Sequence, residues 1–455
     1  MSKTIAAIST PQGSGGIAVI RVSGDDAVAI ADKVFSGKKR LTDCETHTVH
    51  YGFIKNERGE KVDEVLITLM RAPRTFTRED VVEISTHGGT VSSRAVLDAL
   101  IKAGACMAEA GEFTKRAFLN GRIDLSQAEA VIDIINATND LSSRTALSQL
   151  EGSLSREIQD VRASLVHLAA QMQVTIDYPD EDLEDITTDD IARTARECDD
   201  KVNALLATAD SGKIIRGGIR TAIIGKPNVG KSSLLNALAR EDRAIVTDIA
   251  GTTRDVIEEY INLTGIPLTL IDTAGIRATD DTVEKIGVEK SKKSIDSADL
   301  VIVMTDAASF DGEDVEVLRA TEEKKRVVLV NKTDLVQSRY IDAIKSTAPD
   351  SPVLEVSAKT GAGLDLLADE IRRAYNLGEL TGSDGAIITN MRHKTALIKA
   401  GEALKRTYDA IDMGLPSDIA SIDLNIAIDA LGEITGETVS DDIVTAIFHE
   451  FCVGK

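Results

Sequence analysis

The chain has 455 residues, 43% of them apolar, and 52 Lys and Arg against 74 Asp and Glu for a net charge of −22. That length holds about two to four domains, and with 3% aromatics and no Trp the cores must rest on Leu, Ile, Val and Ala, which suits helices and α/β layers. So acidic a chain repels nucleic acid at long range, and any RNA contact needs a local basic patch or a partner protein.

The first residues, Met1 to Ala6, lack the basic-then-apolar layout of a signal peptide. No apolar run approaches membrane-spanning length. Cys44, Cys106, Cys198 and Cys452 are dispersed and form no CxxC pair, which argues against zinc and against a disulfide framework. A reducing cytoplasm, with no membrane, is the expected setting. Residues 1–120 predict an α+β unit, with strands at Ile17–Val22, Val65–Leu69 and Val81–Ile84 and a helix at Ser93–Ala103 ended by Gly104. Gly13-Ser14-Gly15-Gly16 has the spacing of a dinucleotide fingerprint but precedes a strand instead of opening a helix, so that chemistry is rejected. His87, beside Gly88-Gly89, reads as a turn residue.

From Ser126 the pattern turns helical. Leu147, Leu150, Leu154, Ile158, Val161, Leu165, Leu168, Met172 and Ile176 follow at steps of three or four, a long helical stripe. After the acidic stretch Asp180–Asp190, a second helix runs to about Ala209 and is closed by Gly212. Residues 213–378 alternate strand and helix. Leu300–Met304 and Val327–Val330 are apolar runs suited to parallel strands covered on both faces. Residues 379–455 return to helix, with one apolar face at Leu397, Leu404, Tyr408 and Ile411 and another at Ile419, Ile422 and Ile426. The expected organisation is one helical domain in two segments, 121–212 and 379–455, with 213–378 inserted between them. Two separate helical domains are the alternative.

Gly225-Lys226-Pro227-Asn228-Val229-Gly230-Lys231-Ser232 fits the phosphate-cradling pattern Gly-x4-Gly-Lys-Ser. The apolar strand Thr221–Ile224 precedes it and a helix opens at Ser233. Backbone amides at that helix start can face the α- and β-phosphates. Lys231 can reach the β- and γ-phosphates, and the Ser232 hydroxyl can hold magnesium. Asp272-Thr273-Ala274-Gly275 follows the strand Leu268–Ile271, which suits Asp272 to a magnesium-bound water and the Gly275 amide to the γ-phosphate. Asn331-Lys332-Thr333-Asp334 follows another strand. A carboxylate such as Asp334 accepts both N–H groups of the guanine edge, a pair that adenine lacks. Backbone groups of Ser357-Ala358-Lys359 complete the guanine contacts. Motifs in this order form the GTPase signature set.

Gly251-Thr252-Thr253-Arg254-Asp255 lies between the phosphate loop and Asp272, and Thr253 is the natural second magnesium ligand of a switch loop. Many GTPases carry a water-orienting glutamine directly after Asp-Thr-Ala-Gly. Here that residue is Ile276, so water and charge must be handled otherwise. Asn228 could bind a monovalent cation with carbonyls of Thr247-Asp248-Ile249-Ala250-Gly251-Thr252, or it could merely brace its loop. Glu284 is a candidate to orient water, as are nearby acids.

The GTPase inserted into helices, the Gly251–Asp255 motif and the tail Phe451-Cys452-Val453-Gly454-Lys455 resemble the MnmE (TrmE) family of tRNA-modification GTPases. So do Gly111–Asn120 and Asp124–Ala130, and the resemblance covers essentially the whole chain. It implies a multidomain α/β and α+β protein with an α+β folate-binding-type N-terminal domain, a discontinuous helical domain and a Ras-like P-loop GTPase domain. It implies a homodimer whose GTPase domains pair and are activated by potassium. Asn228, Thr247, Ile249 and Thr252 match potassium-holding positions, Ser232 and Thr253 magnesium ligands, and Glu284 the water-orienting acid. Arg21, Glu83, Arg122 and Lys455 match contacts to a formyl- or methylene-tetrahydrofolate, Arg122 standing where relatives carry lysine. Cys452 is either a catalytic thiolate, adding to a uridine ring or handling a one-carbon unit, or part of a flap over the folate pocket. The implied activity is GTP hydrolysis coupled, with the flavoprotein MnmG (GidA) in a heterotetramer or larger complex, to carboxymethylaminomethyl or aminomethyl addition at carbon five of tRNA wobble uridine. A GTP-dependent binding switch in ribosome or RNA maturation would explain the GTPase motifs but not the terminal cysteine.

Overall fold

The computed structural model describes residues 3–11, 13–177, 187–241, 259–271, 294–336, 340–375, 377 and 385–455. They group into two units. The first is Met1–Ile132, Gln149–Ile186 and Leu415–Lys455; the second is Asp133–Ser148 and Thr187–Gly414. Among the described residues no helix is long and apolar enough to cross a membrane.

The first unit holds a seven-stranded sheet built from β1 (Ile5–Ile8), β2 (Ile17–Ser23), β3 (Phe35–Gly37), β4 (Thr48–Lys55), β5 (Lys61–Met70), β6 (Val81–His87) and β7 (Cys106–Met107), in the order β3-β4-β5-β6-β2-β1-β7. Only β1 and β7 pair in parallel. The helices Ala27–Val34 and Thr90–Ala103 supply Val28, Ile30, Val96 and Leu100 to a core shared with Ile20, Val22, Ile67 and Ile84 of the strands. Side chains alternate between the faces of a strand, so β4 and β5 turn Val49, Tyr51 and Leu66 outward, and all three are exposed.

In the same unit the helix Ser153–Asp177 packs against Ser417–Thr435. Leu154, Ile158, Val161, Leu165, Leu168 and Met172 are at most 1% exposed. The expected stripe does not extend upstream of them unbroken. Gly152, at φ +86°, separates this helix from Asp140–Leu150, and Leu147 is exposed. A second correction concerns Ser417–Thr435, whose apolar arc is wider than the face it buries. Ile419 and Ile422 are exposed and Ile426 half-buried; the buried face carries Ala420, Leu424, Ala427, Ile428 and Leu431. Its alanines let a neighbouring backbone come close, which bulky isoleucines would prevent.

The second unit contains a six-stranded sheet of β8 (Ile219–Gly225), β9 (Glu259–Leu263), β10 (Ile266–Leu270), β11 (Leu300–Asp306), β12 (Arg326–Asn331) and β13 (Val353–Glu355), in the order β13-β12-β11-β8-β10-β9. All pairs are parallel except the β9–β10 hairpin. Leu300, Ile302 and Met304 of β11 enter one core and Val301 and Val303 another, so this strand is buried on both faces. The carboxyl ends of β8, β11 and β12 lie side by side, where open α/β sheets bind their ligands.

Also in the second unit, Thr188–Ala207 packs against Met391–Asp412. Gly212 does not close the helix as expected. The chain turns at Thr208 and resumes as the helix Ala209–Gly217, ending at Gly218 with φ +70°. The reason for glycine is close approach: a Cβ on Gly212 would lie 2.0 Å from the Ile388 carbonyl oxygen. Ile388 in turn donates its N–H to Thr208 Oγ1 at 3.0 Å.

Candidate functional site

The strand β8 leads through the loop 226–230 into the helix Lys231–Glu241. Gly225 and Gly230 take φ of +157° and +104°. A Cβ on Gly225 would sit 2.4 Å from Met304 O, and one on Gly230 2.2 Å from Asn331 Nδ2. Both glycines are therefore required by contact as well as by backbone conformation. Lys231 Nζ folds over the loop, donating to the carbonyls of Gly225 at 2.6 Å and Lys226 at 2.7 Å. Burial lowers the pKa of this ammonium. It is a partly desolvated cation at the start of a helix, where backbone amides and ammonium together suit an anion.

Asn331, at the end of β12, is 3% exposed and joins two loops. Its Nδ2 donates to Val229 O at 2.7 Å, and its Oδ1 accepts from the Ala358 amide at 2.9 Å. The Asp334 carboxylate accepts from Ser357 Oγ at 2.8 Å. Lys332, at φ +67°, donates through Nζ to Asp306 Oδ2 at 2.7 Å. Burial alone would raise the Asp306 carboxyl, but that ammonium and the Ala308 amide hold it below its ordinary value. A cavity of about 550 Å³ opens here, lined by Gly230, Ser233, Asn331, Lys332, Asp334, Ala358 and Lys359 among others. The structure thus brings the phosphate loop, Asn331-Lys332-Thr333-Asp334 and Ser357-Ala358-Lys359 to one place. Asn228 takes φ +62° and is exposed.

Thr247, Asp248, Ile249, Ala250, Gly251, Thr252, Thr253, Asp272, Thr273, Ala274, Gly275, Ile276 and Glu284 lie outside the described residues. One element of the site was not foreseen from sequence. Lys226 Nζ contacts Asp311 Oδ2 and Asp314 Oδ2, each at 2.7 Å. Burial lowers the Lys226 pKa, but the two carboxylates outweigh it and raise it. Asp311 and Asp314 form the capping box of the helix Gly312–Ala320. The Asp-x-x-Asp spacing before an apolar run was the available signal.

A second constellation lies in the first unit. Arg21 on β2 and Glu83 on β6 are direct cross-strand partners. Arg21 Nε and Nη2 reach Glu83 Oε1 at 2.9 and 2.7 Å. Arg21 Nη1 also reaches the Gly454 carbonyl at 3.4 Å, and its guanidinium lies 5.6 Å from the Phe113 ring centroid. The tail is held through its backbone. Gly111 N donates to Cys452 O at 3.4 Å and Phe113 N to Lys455 O at 3.2 Å, and Ala110 bridges Val453. Arg122 donates to Thr75 O at 2.6 Å and lies over the Phe76 ring. Phe76 and Phe113 pack in one cluster with Ile5, Ala7 and Ala108, which ties Arg122 to the neighbourhood of Arg21. The Cys452 side chain is exposed. Phe76 and Phe113, the platforms under the two arginines, carry no motif that marks them in sequence. His87 ends β6, and its Nδ1 meets Asp63 Oδ1 at 2.6 Å; hydrogen bonding to Asp63 raises its pKa.

Comparison with known proteins gives two family matches: "GTP-binding protein TrmE N-terminus" over residues 4–122 and "MnmE helical domain" over residues 125–452. The chain is 51% identical to a tRNA modification GTPase MnmE of Acetivibrio thermocellus over 454 residues, 99% of each chain. It is 50% identical to that of Listeria welshimeri, again over 99% of each, and 48% identical to that of Alkaliphilus metalliredigens over 100% of each. Among solved structures, the FeoB G-domain of Methanococcus jannaschii is similar over 35% of this chain and 98% of its own, at 23% identity and a TM-score of 0.26.

Proposed function

The chain belongs to the MnmE (TrmE) family of tRNA modification GTPases, and from that premise we propose that it hydrolyses GTP in a potassium-dependent way to drive modification of tRNA wobble uridine. The observation that carries the nucleotide assignment is Asn331, whose one amide group ties the phosphate loop to the Ser357–Lys359 loop around the cavity.

In that reading Lys231 leaves the two carbonyls it now contacts and pairs with the β- and γ-phosphates, a stronger charge-assisted partner. The amides of 229–233 hold the phosphates. Asp334 accepts the paired guanine N–H groups, and its bond from Ser357 Oγ fixes the carboxylate plane. Glu284 orients the attacking water. Ser232 and Thr253 would hold magnesium, and Asn228 with the carbonyls of Thr247, Ile249 and Thr252 would hold potassium. What supports that role for Asn228 is its exposure, with no hydrogen bond from its side chain among the described residues. Potassium would supply positive charge at the transferring phosphoryl where other GTPases use an arginine finger. The domain boundaries are proposed as 1–120, 121–212, 213–378 and 379–455.

The Arg21 constellation is proposed as the site of a tetrahydrofolate derivative, which supplies a one-carbon unit when bound. Two buried hydroxyl oxygens fit a polar ligand there. Ser9 Oγ and Thr114 Oγ1 have no hydrogen-bond partner among the described residues. Ser9 adjoins Gly454, and Thr114 follows Phe113. Arg21, Arg122 and Lys455 would meet the ligand's carboxylates and Glu83 its pterin edge. Cys452, exposed on the tail, is the candidate nucleophile. The outward apolar face of Val49, Tyr51 and Leu66 suits a homodimer contact. MnmG would be the partner in the modification step, in the cytoplasm.

Turnover of GTP in potassium and in sodium tests this proposal. We expect at least tenfold faster hydrolysis in potassium, and loss of that difference in Asn228→Ala. An enzyme indifferent to the cation overturns the potassium assignment. Cys452→Ser should abolish tRNA modification and spare GTP turnover; full modification by the variant would leave the tail as a flap.

A further inference from the structure

We propose that the cleft between the helix Ala27–Val34 and the segment 35–42 of the first unit is a binding site for the phosphate backbone of RNA. This inference rests on the tRNA reading above and names the surface it requires. The chain carries a net charge of −22, so a cluster of four cations about one acid is out of keeping with the rest of it. Between Asp32 and Arg40 stand Lys33, Lys38, Lys39 and Arg40 against a single acid, Asp32. All four cations line a cavity of about 540 Å³. It is polar and open, with the half-buried Phe35 as its one aromatic lining residue.

The cleft is built, not a chance meeting of mobile lysines. Asp32 has a side chain only 9% exposed and fixes the far wall. Its Oδ1 accepts from the Leu41 amide at 2.6 Å. Its Oδ2 accepts from Arg40 Nε at 3.0 Å and Nη2 at 2.9 Å. The one acid is thereby consumed in holding the loop. Lys33 is anchored to the Ala103 carbonyl of the helix Thr90–Ala103 at 3.1 Å. The floor is the Phe35 ring, packed so tightly on Gly37 and Gly52 that a Cβ on either would come within 2.4–2.5 Å of it. Lys38 and Lys39 remain, exposed and with no acidic partner among the described residues. A rigid turn that presents two adjacent free ammonium groups beside two anchored cations matches a run of phosphodiesters. Such contacts fix position and carry no sequence information. They would also let an acidic protein hold RNA at one place against its overall repulsion.

The test is tRNA binding by the full-length protein as a function of salt. Lys38→Gln/Lys39→Gln is compared with wild type and with Lys201→Gln/Lys345→Gln, which makes the same change in net charge on exposed lysines of the other unit. Arg40 and Asp32 are left intact so that the loop keeps its fold, and GTP turnover and thermal melting check that it has. Each lost phosphate contact lowers the slope of log affinity on log salt by about one. The cleft variant should therefore show a slope shallower by about two and affinity weaker by about tenfold near 0.1 M salt, with the control unchanged. Equal slopes and affinities for cleft variant and wild type overturn the proposal and leave RNA to another surface or the cleft to an acidic protein. If wild type itself binds no tRNA at any salt while it still turns over GTP, direct tRNA contact by this chain fails as well. The two failures are thus distinguishable.

Discussion

The nucleotide site of the second unit draws its polar groups from contiguous runs, while in the first unit Arg21 meets Glu83 across 62 positions and Gly454 across 433. In the nucleotide site a strand end fixes each run, and the backbone does much of the work. Gly225, Gly230 and Asn331 are chosen by distances of a few ångströms to their neighbours. In the Arg21 constellation the groups come from β2, β6 and the tail, so each depends on the packing of the others. The lesson is that a phosphate cradle built from local runs tolerates distant change well, and a site assembled from β2, β6 and residues 452–455 tolerates it poorly.

The contrast can be broken by substitution. The largest effect is expected for Lys231→Ala, which removes the cation facing the transferred phosphoryl and should lower GTP turnover by about 10²- to 10³-fold. Activity within tenfold of wild type would show that the cradle is not the reacting site. Asn331→Ala should come next. It leaves Val229 O and the Ala358 amide unpaired, at a cost of roughly 1–3 kcal/mol each, and affinity for both guanosine and inorganic pyrophosphate should fall. By contrast Asp334→Asn should spare the phosphates and shift preference from guanine toward xanthine nucleotides. Competition titration separates the two, and equal behaviour would sink the brace.

Arg21→Met tests the other side of the comparison. It leaves Glu83 and the Gly454 carbonyl without their partner, so a folate-type ligand should be lost and the first unit should melt lower. GTP turnover should stay within about twofold, because no residue of the nucleotide site contacts Arg21 among the described residues. A matching fall in turnover would mean that the two sites are not separable. The smallest effect concerns His87 and Asp63. Hydrogen bonding to Asp63 raises the His87 pKa, so the pair's contribution is full below the unfolded value of about 6.5 and is lost as pH rises through the folded value. The melting difference between wild type and His87→Gln should thus be present at pH 6 and shrink by pH 9. A difference that grows with pH would reverse the assignment.

The nucleotide half was legible because its chemistry sits in short motifs at strand ends, and the phosphate loop, Asn331, Asp334 and Ser357 meet there. The strand β4 was missed because the alternation of Val49 and Tyr51 marks its exposed face, while on the opposite face Ile54 is its one large apolar side chain in the core. Ile419 and Ile422 misled because the apolar arc of their helix is wider than the face it buries, so its largest side chains do not mark the packed side. Gly212 looked like a helix terminator because close approach by Ile388, 176 positions away (388 − 212), leaves no local trace. Residue chemistry placed Arg21 and Glu83 on strands but could not pair them; the register of β2 and β6 did.

The meeting of Gly212 with Ile388 carries one more consequence. Where the chain leaves the helical pair and where it returns, the two backbones touch, and Lys394 clasps Asp210 at 2.7 Å just beside that crossing. The stretch between these two points therefore begins and ends at one closed stem. Such a stem permits excision or exchange: a short linker in its place spans almost no distance and keeps Thr188–Ala207 against Met391–Asp412. Foreign domains whose own ends lie close together are the natural replacements.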